Sequence, residues 1–333
     1  MTSADERPPG AADAARARAE AALAAAAGGP PFLARLGAAG VLQATGPDAA
    51  PFLHGQLAND VTGLGVGETN RSLLLNHKGH ALAEAQVLRL EPQRFLLVVD
   101  DGRLAWAEES LRRHVVFDDV SLERSPSAVV TVQGERAAEA VAEALGAVPA
   151  GGSFVRAAPA GAEVVAYAAR RSAAGGFDIV VMGGDGEALA AALLAAGAVD
   201  AGEEGLGAAR VAARVPAAGR EGGEGVLPQE AGLDVHVSFR KGCYLGQEIM
   251  ARVAARGNVR RSLRTLALAG EPAGADVEAG GRVVGHLGTV ARFPDGSLRA
   301  LAVLRDELAA GAEVSAGGVR ATVVDEAARR MPP

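Results

Sequence analysis

Cysteine occurs once in the 333 residues, at Cys243. No disulfide can therefore form within the chain, and the pattern fits a reducing cytosolic compartment. Aromatic residues make up only 3%, so large apolar anchors are few, and alanine supplies much of the 49% hydrophobic content. No run approaches the roughly 18 strongly apolar residues that a spanning helix requires. The expectation is a soluble, cytoplasmic protein without a membrane partner. Residues 1–29 are alanine-rich and carry Asp5, Glu6, Asp13, Arg16, Arg18 and Glu20. They lack a basic leader followed by an apolar core, so a frayed helix or flexible tail is expected rather than a secretory signal. A formal net charge of −7 argues against a general nucleic-acid binder.

The length exceeds that of one hydrophobic core, which predicts two or three domains. Pro30-Pro31 ends the tail, and residues 51–58 read as a short helix with Pro51 in its first turn. Apolar stretches at 72–75, 87–90 and 95–99 read as strands, with a polar turn at Glu91-Pro92-Gln93. From Ala128 a strand (AVVTV), a helix over 135–145, two apolar runs at 162–168 and 176–182, and a helix from Asp185 to Leu194 follow, stopped by Gly197. That order predicts a split βαβ middle domain near 127–203. Residues 216–229, rich in Gly, Pro and Glu, read as a loop. Beyond Arg261, short strands at 265–268, 282–284, 286–290, 298–303 and 319–324 with glycine turns predict a small β-barrel or sandwich.

Chemistry concentrates in Lys241-Gly242-Cys243-Tyr244-Leu245-Gly246-Gln247-Glu248. Arg240 and Lys241 beside Cys243 favour the thiolate, the form that acts as nucleophile. Gly242 and Gly246 allow close approach of backbone or ligand. The alternative is a buried structural cysteine in a tight turn. From Arg240 to Arg264 seven bases (Arg240, Lys241, Arg252, Arg256, Arg260, Arg261, Arg264) face one acid, Glu248. This basic segment on an acidic chain suits a small polyanion or an RNA phosphate, or else forms a solvated face. Only Phe239 and Tyr244 lie near it, which favours the small ligand, since RNA readers add stacking aromatics. His77 and His80 lack a neighbouring cysteine or acid in sequence, and Cys243 alone cannot supply the four ligands of an iron–sulfur cluster, so no metal site is expected.

The octapeptide resembles the hallmark of the YgfZ-type folate-binding proteins, relatives of the glycine-cleavage T-protein (aminomethyltransferase). The resemblance continues through Pro228-Gln229-Glu230-Ala231-Gly232-Leu233, Ser238-Phe239, Ala251-Arg252, Gly257 and Arg260-Arg261. Earlier it takes in Gly55-Gln56-Leu57, Asn59-Asp60-Val61 and Asn76-His77-Lys78-Gly79, and later Gly285 to Thr289. It implies an α+β fold built as a T-protein-like three-domain ring. The parts would be a mixed α/β N-terminal domain (30–126 plus 204–261), a ferredoxin-like middle domain (127–203) and a C-terminal small β-barrel (262–330), around a channel for tetrahydrofolate or a derivative. It also implies that residues 241–248 lie beside Asn76 to Gly79.

As implied by the resemblance, Cys243 would be the reactive thiol, with Lys241 its adjacent cation. The folate would be held by residues drawn from Asn76, Lys78, Glu84, Asp178, Arg210, Glu230, Tyr244, Gln247, Glu248 and Arg252. A pterin presents an amine and a ring N–H side by side, which a carboxylate accepts, and Asp178, Glu230 and Glu248 are the candidates. Arg210 matches a folate-contacting arginine of the T-protein, and the basic run 252–264 would hold the glutamate tail. Partners implied are iron–sulfur client enzymes, including those that thiomethylate tRNA, with tRNA contact as a further possibility. Where the T-protein has a Gly-Gly turn followed by an Asp pair, this chain reads Gly79-His80-Ala81-Leu82-Ala83-Glu84, leaving Glu84 as the nearest carboxylate. The leading expectation is thus a folate-binding accessory protein, and the alternative a folate-dependent one-carbon transferase.

Overall fold

The computed structural model describes residues 10–256 and 259–325. Five strands form an antiparallel sheet in the order Thr69–Leu75, Ala81–Glu91, Arg94–Val99, Gly40–Thr45 and Ser121–Ser125. Side chains alternate along a strand, so Ala81–Glu91 sends Ala83, Ala85 and Val87 to one face. There they pack with Phe52 and Leu53 of helix Ala49–Gln56 and Ala107 and Leu111 of helix Leu104–Arg112. Glu84, Gln86, Leu88 and Leu90 fall on the opposite face.

That face meets a second sheet of six strands, ordered Val199–Asp200, Phe32–Arg35, Ser127–Gln133, Gly176–Met182, Val164–Ala169 and Phe154–Ala157. Val129, Val165, Tyr167 and Val180 of the second sheet pack on Val41, Leu88, Leu96 and Val98 of the first. Helices Ala137–Leu145 and Glu187–Ala195 cover the second sheet's other face. The result is two stacked sheets with helices outside. Phe32–Arg35 departs from the expected layout, since it pairs with Ser127–Gln133 in the second sheet rather than joining the first.

A closed six-stranded barrel follows, ordered Arg261–Leu268, Leu298–Arg305, Arg282–Arg292, Asp276–Ala279, Glu313–Ala316 and Val319–Val323. Arg282–Arg292 is one continuous strand where the sequence suggested two. Gly285 lies mid-strand because a Cβ there would sit 2.1 Å from the Val303 carbonyl oxygen.

Residues 1–9, assigned to a tail, lie outside the described residues, but Ala11–Ala25 is a docked helix, not a flexible segment. Its Ala19, Ala22 and Ala25 are fully buried. The small residues explain this: the helix lies against Gly202–Ala213, and a Cβ on Gly205 would come within 2.7 Å of the Arg18 carbonyl oxygen. The 202–213 helix in turn seats the barrel, with Ala208 and Val211 packing among Ala291, Phe293 and Leu301. Glu221 fastens this junction. Its carboxylate is fully buried and accepts the N–H of Ala217 (2.7 Å) and both the N–H (2.7 Å) and hydroxyl (2.6 Å) of Thr289.

Candidate functional site in the inter-sheet layer

Where the stacked sheets meet, the apolar layer gives way to a ladder of buried charge. Arg71 Nη1 stands 3.5 Å from Glu84, and its Nη2 is 3.9 Å from Asp178. Arg171 donates through Nε to Asp178 Oδ1 (2.9 Å) and through Nη2 to Asp178 Oδ2 (2.6 Å) and Asp100 Oδ2 (2.8 Å). The order is Glu84, Arg71, Asp178, Arg171, Asp100, alternating in sign. Strand pairing assembles it: Asp178 faces Tyr167 across the second sheet, while Arg71 and Glu84 project from adjacent strands of the first.

Burial pushes the Glu84 carboxyl above its ordinary value, outweighing the opposing charge of Arg71. Against the penalty of burial, Arg171 and Arg71 hold Asp100 below its ordinary value. Several buried atoms have no hydrogen-bond partner: both Glu84 oxygens, Asp100 Oδ1, Asp101 Oδ2, the Tyr167 hydroxyl and Asn70 Oδ1. Buried polar atoms left in this way are costly unless water or a ligand completes them.

Two cavities flank the ladder. The larger, about 410 Å³, is lined by Asn70, Arg71, Gln86, Arg170, Arg214 and His236, among others, with no acid among the described residues that line it. Burial, then the charge of Arg71, pushes the His236 imidazole down to about 4, so it is neutral at pH 7. The volume lies in the range of small-molecule sites, and the guanidiniums suit an anionic group. The smaller, about 40 Å³, lies beyond Arg171 and is bounded by Asp100, Asp101, Glu203, Arg210, Arg220 and Thr289.

Residues 36–241 match the family model described as the GCVT N-terminal domain, a span that contains the whole ladder. The chain belongs to the GCVT family. An aminomethyltransferase of Streptomyces avermitilis is 30% identical over 274 residues, covering 77% of this chain and 73% of that protein. One from Exiguobacterium sibiricum is 29% identical over 218 residues, which are 64% of this chain but only 60% of the relative's length. In fold, the chain is similar to the crystal structure of glycine cleavage system aminomethyltransferase T from Bartonella henselae, with a TM-score of 0.74 at 19% identity over 92% of this chain and 88% of that one. The T-protein-like three-part architecture is thereby shown.

Within this GCVT fold the expected site residues separate into groups. Glu84, Asp178 and Arg210 converge on the interior. Arg210, on the 202–213 helix, donates to the Val215 carbonyl and reaches Glu221 at 3.5 Å and Asp101 at 3.9 Å, not Glu203 or Glu204. Glu230 lies elsewhere, with both oxygens engaged by Arg261 (3.0 and 2.8 Å) and the Leu227 N–H (3.0 Å). It does not offer a free carboxylate to a pterin.

The octapeptide forms a second locale, and none of residues 241–248 lines either cavity. It does lie beside Asn76 to Gly79: a Cβ on Gly246 (φ +85°) would be 2.7 Å from the Asn76 carbonyl oxygen. Asn76 shapes that turn, its Oδ1 accepting the N–H groups of Lys78 (2.9 Å) and His80 (3.0 Å), while Lys78 is exposed. The Lys241 ammonium is committed to the end of the 49–56 helix rather than to the thiol. It donates to the carbonyls of His54, Leu57 (2.6 Å) and Asn59 (3.2 Å) and lies 4.9 Å from the Tyr244 ring centroid. Burial pushes it down to about 8, with Asp60 opposing. Tyr244 is buried, its hydroxyl pushed up to about 12 by burial, and Gln247 opens the helix Gln247–Arg256. Cys243, Glu248 and Arg252 are exposed, which rules out the buried structural cysteine.

The basic run also disperses, because successive residues belong to different elements. Arg264 is fully buried on Asp325 and the Leu308 carbonyl, and Arg261 is on Glu230. No single tail-binding face results. Arg71, Asp100, Arg171 and Tyr167 were missed in the sequence. A charged residue inside or ending an apolar strand was their signal, as in TNRSLLL and FLLVVD.

Proposed function

We propose that this protein binds tetrahydrofolate in the inter-sheet layer, entering through the arginine-lined cavity, and that it is a YgfZ-type member of the family. The observation that carries the reading is a ligand-sized cavity lined by Arg71, Arg170 and Arg214, whose Arg71 also belongs to the buried ladder in which Glu84 has oxygens without a hydrogen-bond partner. The donor set fits the group. A pterin's paired N–H donors suit the Asp178 carboxylate, which Arg171 engages in the free protein, together with Glu84 and Asn70 Oδ1, its carbonyl suits a guanidinium such as Arg71, and the glutamate tail suits Arg170 and Arg214 of the cavity. When bound, the folate supplies a carrier for a one-carbon unit. The chain's own groups bind and orient it. Saturable calorimetric titration by tetrahydrofolate is expected, and no binding up to millimolar ligand overturns the reading.

The exposed Cys243, set on a loop that Lys241 and Gly246 anchor, is the point of contact with iron–sulfur client enzymes, including those that thiomethylate tRNA. Replacing Cys243 with alanine should lower client activity in cells, and unchanged activity would remove the thiol from the function. A one-carbon transferase is the second reading. It is favoured by the buried Glu84, whose carboxyl burial raises above its ordinary value, and by relatives named aminomethyltransferases. Turnover of a methylene or methyl group between folate and an acceptor would establish it over binding alone.

A further inference from the structure

Arg171 occupies Asp178, the ladder acid next to Arg71 of the proposed binding cavity. Its guanidinium presents two N–H donors to the two oxygens of one carboxylate, the same donor pattern as the amine and ring N–H edge of a pterin. The backbone at this position is held, since the Arg171 N–H donates to Gln133 Oε1 at 3.0 Å, so the side chain is the movable part. A second berth lies directly behind it. Asp100 already holds Arg171 through Oδ2, while its Oδ1 is buried and unpartnered. Asp101 Oδ2 is buried and unpartnered as well, and both acids and Arg171 bound the 40 Å³ cavity. Asp101 stands at a positive φ of 54°, a conformation that an aspartate tolerates at modest cost.

We propose that Arg171 is a specificity-determining residue with two seats. In the free protein it forks onto Asp178. A ligand bearing two coplanar N–H donors, the 2-amino-pyrimidinone edge of a pterin, takes Asp178 and sends the guanidinium to Asp100 Oδ1 and Asp101 Oδ2. No charge leaves the layer in this exchange, because one carboxylate contact replaces another, and no bond is made or broken. Ligands offering a single donor cannot replace a bidentate contact and are rejected. The inference rests on the folate reading for the identity of the incoming ligand.

The test is calorimetric titration of the full chain with 5-formyltetrahydrofolate. Arg171→Ala should bind about tenfold tighter or more, since apparent affinity scales with the fraction of molecules in which Asp178 is free. Asp101→Asn should bind more weakly, having lost charge from the second seat. Damage to the fold would weaken both, so opposite directions separate the exchange from a structural role. Millimolar methylguanidinium should compete with the ligand in Arg171→Ala and not in the wild type. If Arg171→Ala does not fold, Arg171→Met keeps the bulk, and a crystal structure of the wild type with the ligand reads the seat directly. Binding with Arg171 still on Asp178 overturns the exchange alone. Absence of binding by wild type and variants overturns the folate reading and the exchange with it.

Discussion

Replacing Glu84 with glutamine tests the charge balance of the interior. Glu84 is buried with neither oxygen hydrogen-bonded, and burial raises it from the ordinary 4.5. A carboxyl raised on folding binds its proton more tightly in the native state than in the unfolded one. Its contribution to stability is therefore complete below pH 4.5 and is lost as pH rises towards the native value. Each pH unit within that window is worth up to ~1.4 kcal/mol. Glutamine is close in shape to the neutral acid and does not titrate. At pH 5 the two proteins should differ by less than ~1 kcal/mol, the range of a volume-conserving swap. As pH rises above 4.5 the variant should gain on the wild type by up to ~1.4 kcal/mol per unit until the native carboxyl ionises. Urea denaturation at pH 5, 6, 7 and 8 measures this. A variant less stable by a constant amount at every pH would refute a carboxyl raised by burial.

Three further outcomes are expected. Glu221→Ala strands the Thr289 and Ala217 donors and should cost ~4 kcal/mol. Gly288→Ala should act in the same direction, because its Cβ would lie 2.5 Å from Glu221 Oε1. A loss under ~1 kcal/mol in Glu221→Ala urea unfolding contradicts the role of this junction. Gly246→Ala combines a positive φ with the approach to Asn76 and should lower thermal stability by ~2 kcal/mol or more, whereas an unchanged melting temperature argues against the packing of the octapeptide on the 76–80 turn. Cys243 should react with a maleimide in the native protein, one label per chain, and protection until denaturant is added would contradict its exposure.

Elements with long apolar runs were legible in the sequence, among them Arg94–Val99, Ser127–Gln133 and Gly176–Met182, as were most barrel strands with their glycine turns. Ser121–Ser125 was not, because SLERS is a mostly polar edge strand whose pairing with Gly40–Thr45 comes from the tertiary fold. Helix Gly202–Ala213 was hidden by three glycines that read as breakers, yet Gly205 serves close helix contact. In the site, Asp178 stood out as an acid within an apolar strand, and Glu84 came only from the resemblance to the T-protein's turn. That Lys241 would meet backbone carbonyls rather than the thiol could not be read locally, since its partners lie far away in sequence.

That distance has a consequence for synthesis. The carbonyls of His54, Leu57 and Asn59 wait for an ammonium made 182–187 residues later. At ~5–20 residues per second, the 49–56 helix is made roughly 10–40 s before Lys241 exists to cap its end. The early half of the chain is thus a scaffold left open at one end. Its contacts with residues 241–248 become available only after every strand of the second sheet has been synthesised.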